Sequence, residues 1–392
     1  MDIVCVSSTS WEGKLVKSTV ELTKSLAQRH QMLYVDYNYT WKDVLLGVLG
    51  RAPVPVKQLL GWQRRLQKIQ LPNDTNLWRL ILPPVFPVNF VKNKKAYRFL
   101  QRINTAIIRR SILKATRKLH FRQPLVINAW NPFVGVFLYG KLHEFKTIYY
   151  CFDEITVGPW TKEHGGYMEE MFLKKADACV VSSAGLYQTK SALAKRCYLV
   201  ENGVNYELFQ TGYFFPKGEK VVIGFVGMIA SRIDFELLEA IARSFPDAQL
   251  LLVGGVSFDG RAVDEEVAAL KAFPNVVFAG MQAAEKVPSY LRQFHIGIIP
   301  NIKNTQTANV YPMKINEYMA AGLPVVTTDF APLSEFEGMI GIAHSTTEFI
   351  EKIKNELATD SDEKRRNRQK QAQQNSWNNR ALAFEKIIAD LD

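Results

Sequence analysis

Short apolar runs alternate with stretches in which apolar positions return every three or four residues, and this alternation covers most of the chain. Met1 to Val6 reads as a strand, Ser7 to Gly13 as a polar loop, Leu15 to Gln28 as a helix and Met32 to Asp36 as a second strand. After an interruption the pattern resumes at Leu125 to Asn128, Phe133 to Leu142, Thr147 to Tyr150, Tyr167 to Lys175, Ala178 to Val181 and Cys197 to Val200. Glu201-Asn202-Gly203-Val204-Asn205 is a turn that closes this half, and a polar linker with Gly212, Pro216 and Gly218 follows. A second alternation begins at Val221 to Val226 and runs through Phe235 to Arg243, Gln249 to Val253, Val276 to Phe278, Lys286 to Gln293 and Ile296 to Ile299. Strands separated by helices pair in parallel. The pattern therefore predicts an α/β fold of two Rossmann-like domains facing a cleft, with ligand loops at the carboxyl ends of the strands.

The interruption, about residues 37–123, has a different character. From Phe90 to Arg122 there are 11 Lys and Arg and no Asp or Glu. Ala96, Phe99, Leu100, Ile103 and Ile107 share one helical arc, with Lys94, Lys95, Arg98, Arg102 and Arg109 largely opposite. Residues 41–69 combine Leu45, Leu46, Val48, Leu49, Leu59, Leu60 and Trp62 with Arg64, Arg65 and Lys68. Two such segments predict a basic amphipathic helical insertion that lies on an anionic membrane surface; the competing reading packs the apolar faces on the domain and leaves the cations solvated. Charge sharpens the division. Residues 1–217 hold 31 Lys and Arg against 15 Asp and Glu, whereas residues 218–392 hold 18 against 23, so the net +11 belongs to the first half. No stacking aromatics alternate with the basic residues, which argues against nucleic acid.

At 392 residues and 47% hydrophobic, the chain is long enough for two or three cores. Its four cysteines, Cys5, Cys151, Cys179 and Cys197, lie in apolar runs without a C-x-x-C pair and read as free thiols. No run of eighteen apolar residues occurs, and Met1 to Val6 reads as a strand instead of a cleavable signal, so a cytoplasmic, non-spanning protein is expected.

The stretch Tyr311 to Pro324 carries the densest chemistry. Pro312 suits a first helical position, and Gly322 with Pro324 stops the helix before the strand Val325 to Thr328. Lys314 adds a full cation to the positive helix end, which fits a diphosphate, and Glu317 falls three residues on, on the same face, where its carboxylate can accept bonds from a sugar diol. An incidental surface Lys and Glu is the bland alternative. Gly227, at a strand end, leaves room for a phosphate with Arg232 as its partner, although a lone glycine is more often a tight turn and neither G-x-G-x-x-G nor G-x-x-x-x-G-K-[ST] occurs. Asn301 to Val310 is long for a connection in an α/β domain and is expected to be functional. In the first half, Tyr149 to Ile155 ends a buried strand. Asp153 is the first choice there for a general base, with Glu154 and His164 behind it; the competing role for Asp153 is a helix cap or loop acceptor. Trp11 and Glu12 lie at the end of the first strand, where they can touch an acceptor sugar or simply pack.

The ordered set Glu201-Asn202-Gly203-Val204, Gly224-Phe225-Val226-Gly227, Val277-Phe278-Ala279-Gly280, Ile298-Ile299-Pro300 and Tyr311-Pro312-Met313-Lys314-x-x-Glu317-Tyr318-Met319-Ala320-x-Gly322-x-Pro324-Val325-Val326 resembles the GT-B fold glycosyltransferases. It is most similar to family-4-like enzymes of bacterial polysaccharide and teichuronic-acid assembly, and to the xanthan glucuronosyltransferase. The likeness is strongest from Val221 to Thr328 and weak across residues 37–123. It implies a donor site in which Glu317 holds the ribose, Lys314 and Arg232 the diphosphate and Gly227 the phosphate loop. Met313, Tyr311 and the turn at Gly280-Met281 would border the nucleotide. Asp153 would deprotonate the acceptor. Domains are expected at residues 1–205 and 206–376, with a last helix, 377–392, crossing back to the first.

One departure bears on mechanism. Retaining members of the family carry a second glutamate eight positions before the first, where this chain has Asn309. Direct displacement with inversion is the preferred expectation, without a metal, since the fold stabilises the leaving diphosphate with a helix end and cations and no Asp-x-Asp motif occurs. The expected activity is transfer from a nucleotide-sugar substrate, UDP-linked, to a lipid-linked or cell-envelope glycan at the inner membrane face, with no cofactor. A nucleotide-sugar epimerase or a non-catalytic nucleotide-sugar-binding protein are the alternatives.

Overall fold

The computed structural model describes residues 1–13, 17–71, 76–158, 160–215, 220–256 and 262–391. Leu15 and Val16 of the first expected helix, and Pro216 and Gly218 of the expected linker, lie outside the described residues. The chain divides into two compact units, Met1–Glu201 with Ala381–Asp392, and Asn202–Arg380. The first boundary thus falls four residues before the expected 205, and the last helix, Trp377–Asp390, passes from one unit to the other at Ala381.

In the first unit one sheet contains β1 (Asp2–Ser7), β2 (Gln31–Val35), β3 (Leu66–Lys68), β4 (Leu77–Leu80), β5 (Leu125–Ala129), β6 (Thr147–Cys151), β7 (Ala178–Val181) and β8 (Cys197–Leu199). Their order is β3-β4-β2-β1-β5-β6-β7-β8, parallel throughout except for the antiparallel edge pair β3 and β4. β5, β6 and β7 are buried along their whole length, which is why they read as unbroken apolar runs. The chain order reverses direction at β1 and β5. Residues from Ala381 onward pack here: Phe384 meets Tyr150 edge-on at 5.5 Å, and Glu385 accepts from Arg29 at 2.7 Å.

The insertion differs from expectation in two ways. It is not only helical, because residues 37–123 also supply β3 and β4, and β4 pairs with β2 inside the sheet. Arg79 interrupts the apolar run of β4 and hides it. In the fold that arginine is buried and donates to Asp36 Oδ2 at 2.6 Å, so its charge is met by a carboxylate at the end of the neighbouring strand. Secondly, the basic helix, Lys94–Lys118, buries Tyr97, Gln101, Asn104, Ile108, Ile112 and Ala115. This face lies roughly 100° round the helix from the expected apolar arc. Phe99 and Ile103 are left exposed, together with Ala96, Lys95 and Arg102. The buried face is half polar, which disguised it. Asn104 accepts from the Phe86 N–H at 3.0 Å and donates to the Phe86 carbonyl at 2.9 Å, so it behaves as a fitted core residue.

In the second unit β9 (Val222–Val226), β10 (Gln249–Val253), β11 (Val276–Gly280), β12 (Ile296–Ile299), β13 (Val325–Thr328) and β14 (Gly341–Ala343) form a wholly parallel sheet, ordered β11-β10-β9-β12-β13-β14. Two central glycines make room for core aromatics. A Cβ on Gly224 would stand 2.1 Å from the Phe294 ring, and one on Gly297 would stand 2.5 Å from Tyr318. Two helices, Thr346–Thr359 and Asp362–Gln374, complete the unit beyond β14.

The cysteines are free, with Cys5, Cys151 and Cys179 buried and Cys197 partly so. Among the described residues, no helix is long and apolar enough to cross a membrane.

Candidate functional site

The carboxyl ends of the strands in the second unit converge through backbone bonds. The Gly227 N–H donates to Val253 at 2.9 Å, and the Ile229 N–H donates to Gly255 at 2.9 Å, so the loops after β9 and β10 are zipped together. Gly254 sits against Gly227 so closely that a Cβ there would stand 1.7 Å from the Gly227 carbonyl oxygen; no side chain can be accommodated. Met281, exposed after β11, lies over Gly255, whose added Cβ would meet the Met281 methyl at 3.0 Å. On the other side of β9, the Asp234 N–H donates to Pro300 at 2.8 Å and the Ile302 N–H to the Arg232 carbonyl at 2.8 Å, so the long loop 301–310 is tied to the Gly227 loop. The Arg232 guanidinium is half-buried and pairs with no carboxylate among the described residues.

The Tyr311 to Pro324 stretch folds nearly as expected, one residue displaced. The helix is Met313–Ala320, and Pro312 is its capping residue, outside the first turn. Its proline ring fits there because φ is −80° and no N–H is lost. The N–H groups of Met313 and Ile315 are taken by the Tyr311 and Pro312 carbonyls, so the helix end presents fewer donors than an open terminus. Gly322, at φ 76°, ends the element in the left-handed conformation. Tyr318 is fully buried and its hydroxyl accepts the Val226 N–H at 2.7 Å, which fastens this helix to the strand that ends in Gly227.

Lys314 Nζ donates to Glu317 Oε2 at 2.7 Å. The two side chains expected to hold different parts of one ligand are here paired with each other. Glu317 is 3% exposed, whereas Lys314 keeps about a third of its side chain open. A buried carboxylate with one reachable cation is an arrangement that a second anion can enter by recruiting the same ammonium. Tyr311 and Met313 stand beside this pair. The Tyr311 hydroxyl accepts from Asn316 Nδ2 at 2.8 Å, and Asn316 Oδ1 in turn accepts from Asn375 at 2.9 Å, a buried chain that fixes the helix entrance. Asn309 is buried and donates to the Thr305 carbonyl at 2.9 Å.

In the first unit Asp153 follows β6 in a bend and caps no helix, since the next helix, Gly165–Leu173, is entered at His164. Its Oδ1 accepts the Glu154 N–H at 2.8 Å and its carbonyl accepts Trp130 Nε1–H at 2.7 Å. Trp130 adopts φ 51°, a conformation that a bulky side chain occupies only when its surroundings demand it. The strain buys the indole bond to the Asp153 loop.

The neighbours of Asp153 are anchored. Glu154 is buried, with Lys190 Nζ 2.9 Å from its Oε2, and Lys190 also reaches Glu169 Oε2 at 2.7 Å. Burial works to raise the Glu154 pKa, but the bond and charge of Lys190, with two bonds from Thr156, outweigh it and hold the carboxyl below the usual range. Tyr149 donates to Glu169 at 2.7 Å, extending the network under β6. His164 is buried as well: it stacks on Tyr97 at 3.7 Å, lies 2.8 Å from the Val91 carbonyl and 3.0 Å from the Tyr167 hydroxyl. Both residues therefore support loops and helices in this structure. Trp11 packs edge-on against Tyr34 at 5.1 Å, and Glu12 reaches Arg79 at 2.5 Å, which ties the loop after β1 to the Asp36–Arg79 pair.

Several residues that fix these loops escaped sequence reasoning. Gly254 had a usable signal, a Gly-Gly pair closing an apolar strand. Trp130, Lys190 and Tyr318 had none, because their partners lie far along the chain. Among the described residues, no group of three or more His, Cys, Asp or Glu is placed to hold a metal ion.

Comparison with known proteins agrees with this architecture. Residues 220–359 match the family model of the group 1 glycosyl transferases. TuaH of Bacillus subtilis (strain 168), provisionally named a teichuronic acid biosynthesis glycosyltransferase, is 28% identical over 228 residues, a region that is 53% of this chain and 57% of TuaH. The chain thus matches little more than half the length of that relative. Two solved structures share the whole fold. Sucrose-phosphate synthase of Thermosynechococcus elongatus superposes with a TM-score of 0.72 at 16% identity, covering 100% of this chain and 98% of that one. Anabaena HepE in complex with UDP gives 0.64 at 14%, covering 99% of both chains. The fold is the two-domain GT-B fold of glycosyltransferases.

Proposed function

We propose that this chain, a GT-B-type protein with a group 1 glycosyl transferase segment at residues 220–359, moves a sugar from a UDP-sugar to a lipid-linked or cell-envelope glycan at the cytoplasmic face of a membrane. The observation that carries the reading is the Lys314–Glu317 pair, 2.7 Å apart at the head of one helix inside the matched segment. The UDP of the HepE complex and the naming of TuaH support the donor and the glycan class.

The donor's diphosphate takes the Lys314 ammonium as a charge partner, and Arg232 supplies the second cation. Glu317, released from Lys314, accepts bonds from the ribose hydroxyls. Gly227 lets the phosphates approach its backbone, and Met281, Tyr311 and Met313 border the nucleotide. Asp153 removes the proton from the acceptor hydroxyl, whose oxygen attacks the anomeric carbon as the bond to the diphosphate breaks. Negative charge gathers on the leaving group and is met by Lys314 and Arg232, without a metal ion. Asn309 cannot supply the carboxylate found in retaining relatives, which supports displacement with inversion. Trp11 and Glu12 border the acceptor side; for Glu154 and His164 a supporting role fits their burial better than acceptor contact.

Titration calorimetry with UDP tests the donor half. Lys314→Ala and Glu317→Ala each remove a charged hydrogen-bond partner, worth about 1.5–3 kcal/mol, so UDP affinity is expected to fall roughly 10- to 100-fold in each. Wild-type protein that binds no nucleoside diphosphate, or variants with unchanged affinity, would refute the assignment.

The membrane component rests on the first unit's surface. Trp41, Leu45, Val48, Leu49 and Trp62 are exposed within residues 41–69, and Phe90, Phe99 and Ile103 within residues 90–122, among a surplus of cations. Anionic lipid matches this surface in charge, each nearby Lys or Arg contributing about 1 kcal/mol. The chain is expected to float with phosphatidylglycerol vesicles at low salt, to be released at about 0.5 M salt, and to lose most binding in the Leu45→Glu/Phe99→Glu variant. Equal flotation with neutral and anionic vesicles would rule this surface out.

A further inference from the structure

A cavity of about 320 Å³ opens in the first unit where β1 and β5 send their chains in opposite directions, the position at which open parallel sheets take ligands. Its size is at the lower end for small-molecule sites, which run from about 300 to 1,000 Å³. The lining is unusual in its hydrogen bonding. Asn131, 3% exposed, leaves its Nδ2–H₂ without any partner, and Asn38 leaves its Oδ1 unpaired. Asn131 sits at the start of the helix Pro132–Leu138 yet makes no side-chain cap. Gln101, on the buried face of the basic helix, likewise finds no side-chain partner among the described residues and faces the same space. Orphaned buried amides are costly, on the order of 1–3 kcal/mol each, and rarely persist without something that satisfies them.

The apolar lining comes from rings. Trp160 is about half exposed at the cavity edge and lies 5.9 Å from Phe133 and 5.7 Å from Trp130, the residue that holds the Asp153 loop. Charge is nearly absent. Asp43 is committed to the Thr40 capping box, and Lys42 is exposed at the rim. An anionic ligand would need an inward cation that this lining does not offer. Amide donors and acceptors beside aromatic faces, without charge, suit a ring that is polar at its edge and apolar on its face.

We propose that this cavity binds an uncharged, hydroxyl-rich pyranose ring, with Asn131, Asn38 and Gln101 meeting its hydroxyls and Trp160 and Phe133 covering its face. The ring is the acceptor sugar, an identification that rests on the glycosyltransferase reading. The charge of the lining makes the site selective: neutral hexopyranosides and N-acetylhexosaminides enter, and hexuronates are disfavoured.

Saturation-transfer NMR on the full chain, with UDP added, reads this directly. The probes are methyl glucoside, methyl N-acetylglucosaminide and methyl glucuronoside at neutral pH. Transfer is expected to a neutral glycoside and to fall about two- to tenfold in Gln101→Ala and Asn131→Ala, with a comparable loss in Trp160→Ala, whose exposed ring can be removed without unfolding the unit. Absence of transfer to any neutral glycoside, transfer that all three variants leave unchanged, or a preference for the glucuronoside would overturn the proposal. Octyl glucoside below its micelle concentration separates the two sources of such a ring: tighter binding than methyl glucoside assigns a lipid-borne glycan, equal binding a free one. UDP calorimetry on the same samples keeps the two readings apart. Glycoside binding without UDP binding would sink the donor assignment alone, and UDP binding without glycoside binding would sink this one alone.

Discussion

Asp153→Asn is expected to lower sugar transfer by about 10²- to 10⁴-fold while UDP affinity stays at the wild-type value. The size follows from what positioned general bases contribute. Asparagine is the informative substitution because it preserves the local geometry. Asp153 Oδ1 accepts the Glu154 N–H at 2.8 Å, and an amide oxygen can accept the same bond; the carbonyl that receives the Trp130 indole at 2.7 Å is untouched. What disappears is the basicity. Donor residues all belong to the unit Asn202–Arg380 and Asp153 to the other, so a loss confined to transfer is the signature of a base. Transfer at the wild-type rate would leave Asp153 as the loop acceptor that its Glu154 bond already makes it. Trp130→Phe gives a companion reading. It removes only the indole N–H, so transfer should drop with less effect on the pH profile than Asp153→Asn has, because a positioning residue moves the base without replacing it.

The largest effect on stability is expected from Lys190→Met. Lys190 Nζ lies between two buried carboxylates, 2.9 Å from Glu154 and 2.7 Å from Glu169, and methionine leaves both without their cation. Breaking a buried pair in this way costs about 3–5 kcal/mol, and the first thermal transition should fall by on the order of 10 °C. The pH dependence has a definite sign. The Glu154 carboxyl is held below its ordinary value of 4.5, so its contribution is present above that pH and is lost as pH falls through the lowered value. Burial works to lower the Lys190 ammonium, and the charge of Glu169 outweighs it and raises it above 10.5, so its contribution is whole below that pH and is lost as pH rises through the raised value. The wild-type network is therefore intact across roughly pH 5 to 10. In the methionine variant the two carboxylates repel and one must be protonated, so its deficit should shrink as pH is lowered from 8 towards 5. A deficit below about 1 kcal/mol, or one independent of pH, would show that Lys190 is not the counter-charge that holds β6 and its loop. Because Glu154 adjoins Asp153, the same variant should lose transfer activity.

The chain's periodicity determined much of this protein by itself. Parallel strands buried on both faces must be continuous apolar runs, so β1, β2, β5 to β7 and β9 to β13 are legible from composition over a few residues. Gly322 and Pro324 had to end the Lys314 helix, since one residue takes the left-handed conformation and the other cannot continue a helix. Lys314 and Glu317 had to share a face because they are three apart.

Other features were decided only in three dimensions. Periodicity marks arcs on the Lys94–Lys118 helix but cannot say which arc meets the sheet when one is apolar and the other mixed. Tertiary packing chose the mixed one, because Asn104 could satisfy both of its groups on Phe86 and Gln101 faces a cavity. β4 was hidden by Arg79 until Asp36, 43 residues earlier, could be seen to receive it. Lys190 meets Glu154 across 36 residues, and Tyr318 meets Val226 across 92. Such pairings depend on the order in which parallel crossovers lay the strands side by side, which no local pattern encodes. The unpaired amide of Asn131 is the extreme case, for whether a buried polar group is satisfied is a property of its surroundings in space and of nothing nearer in the chain.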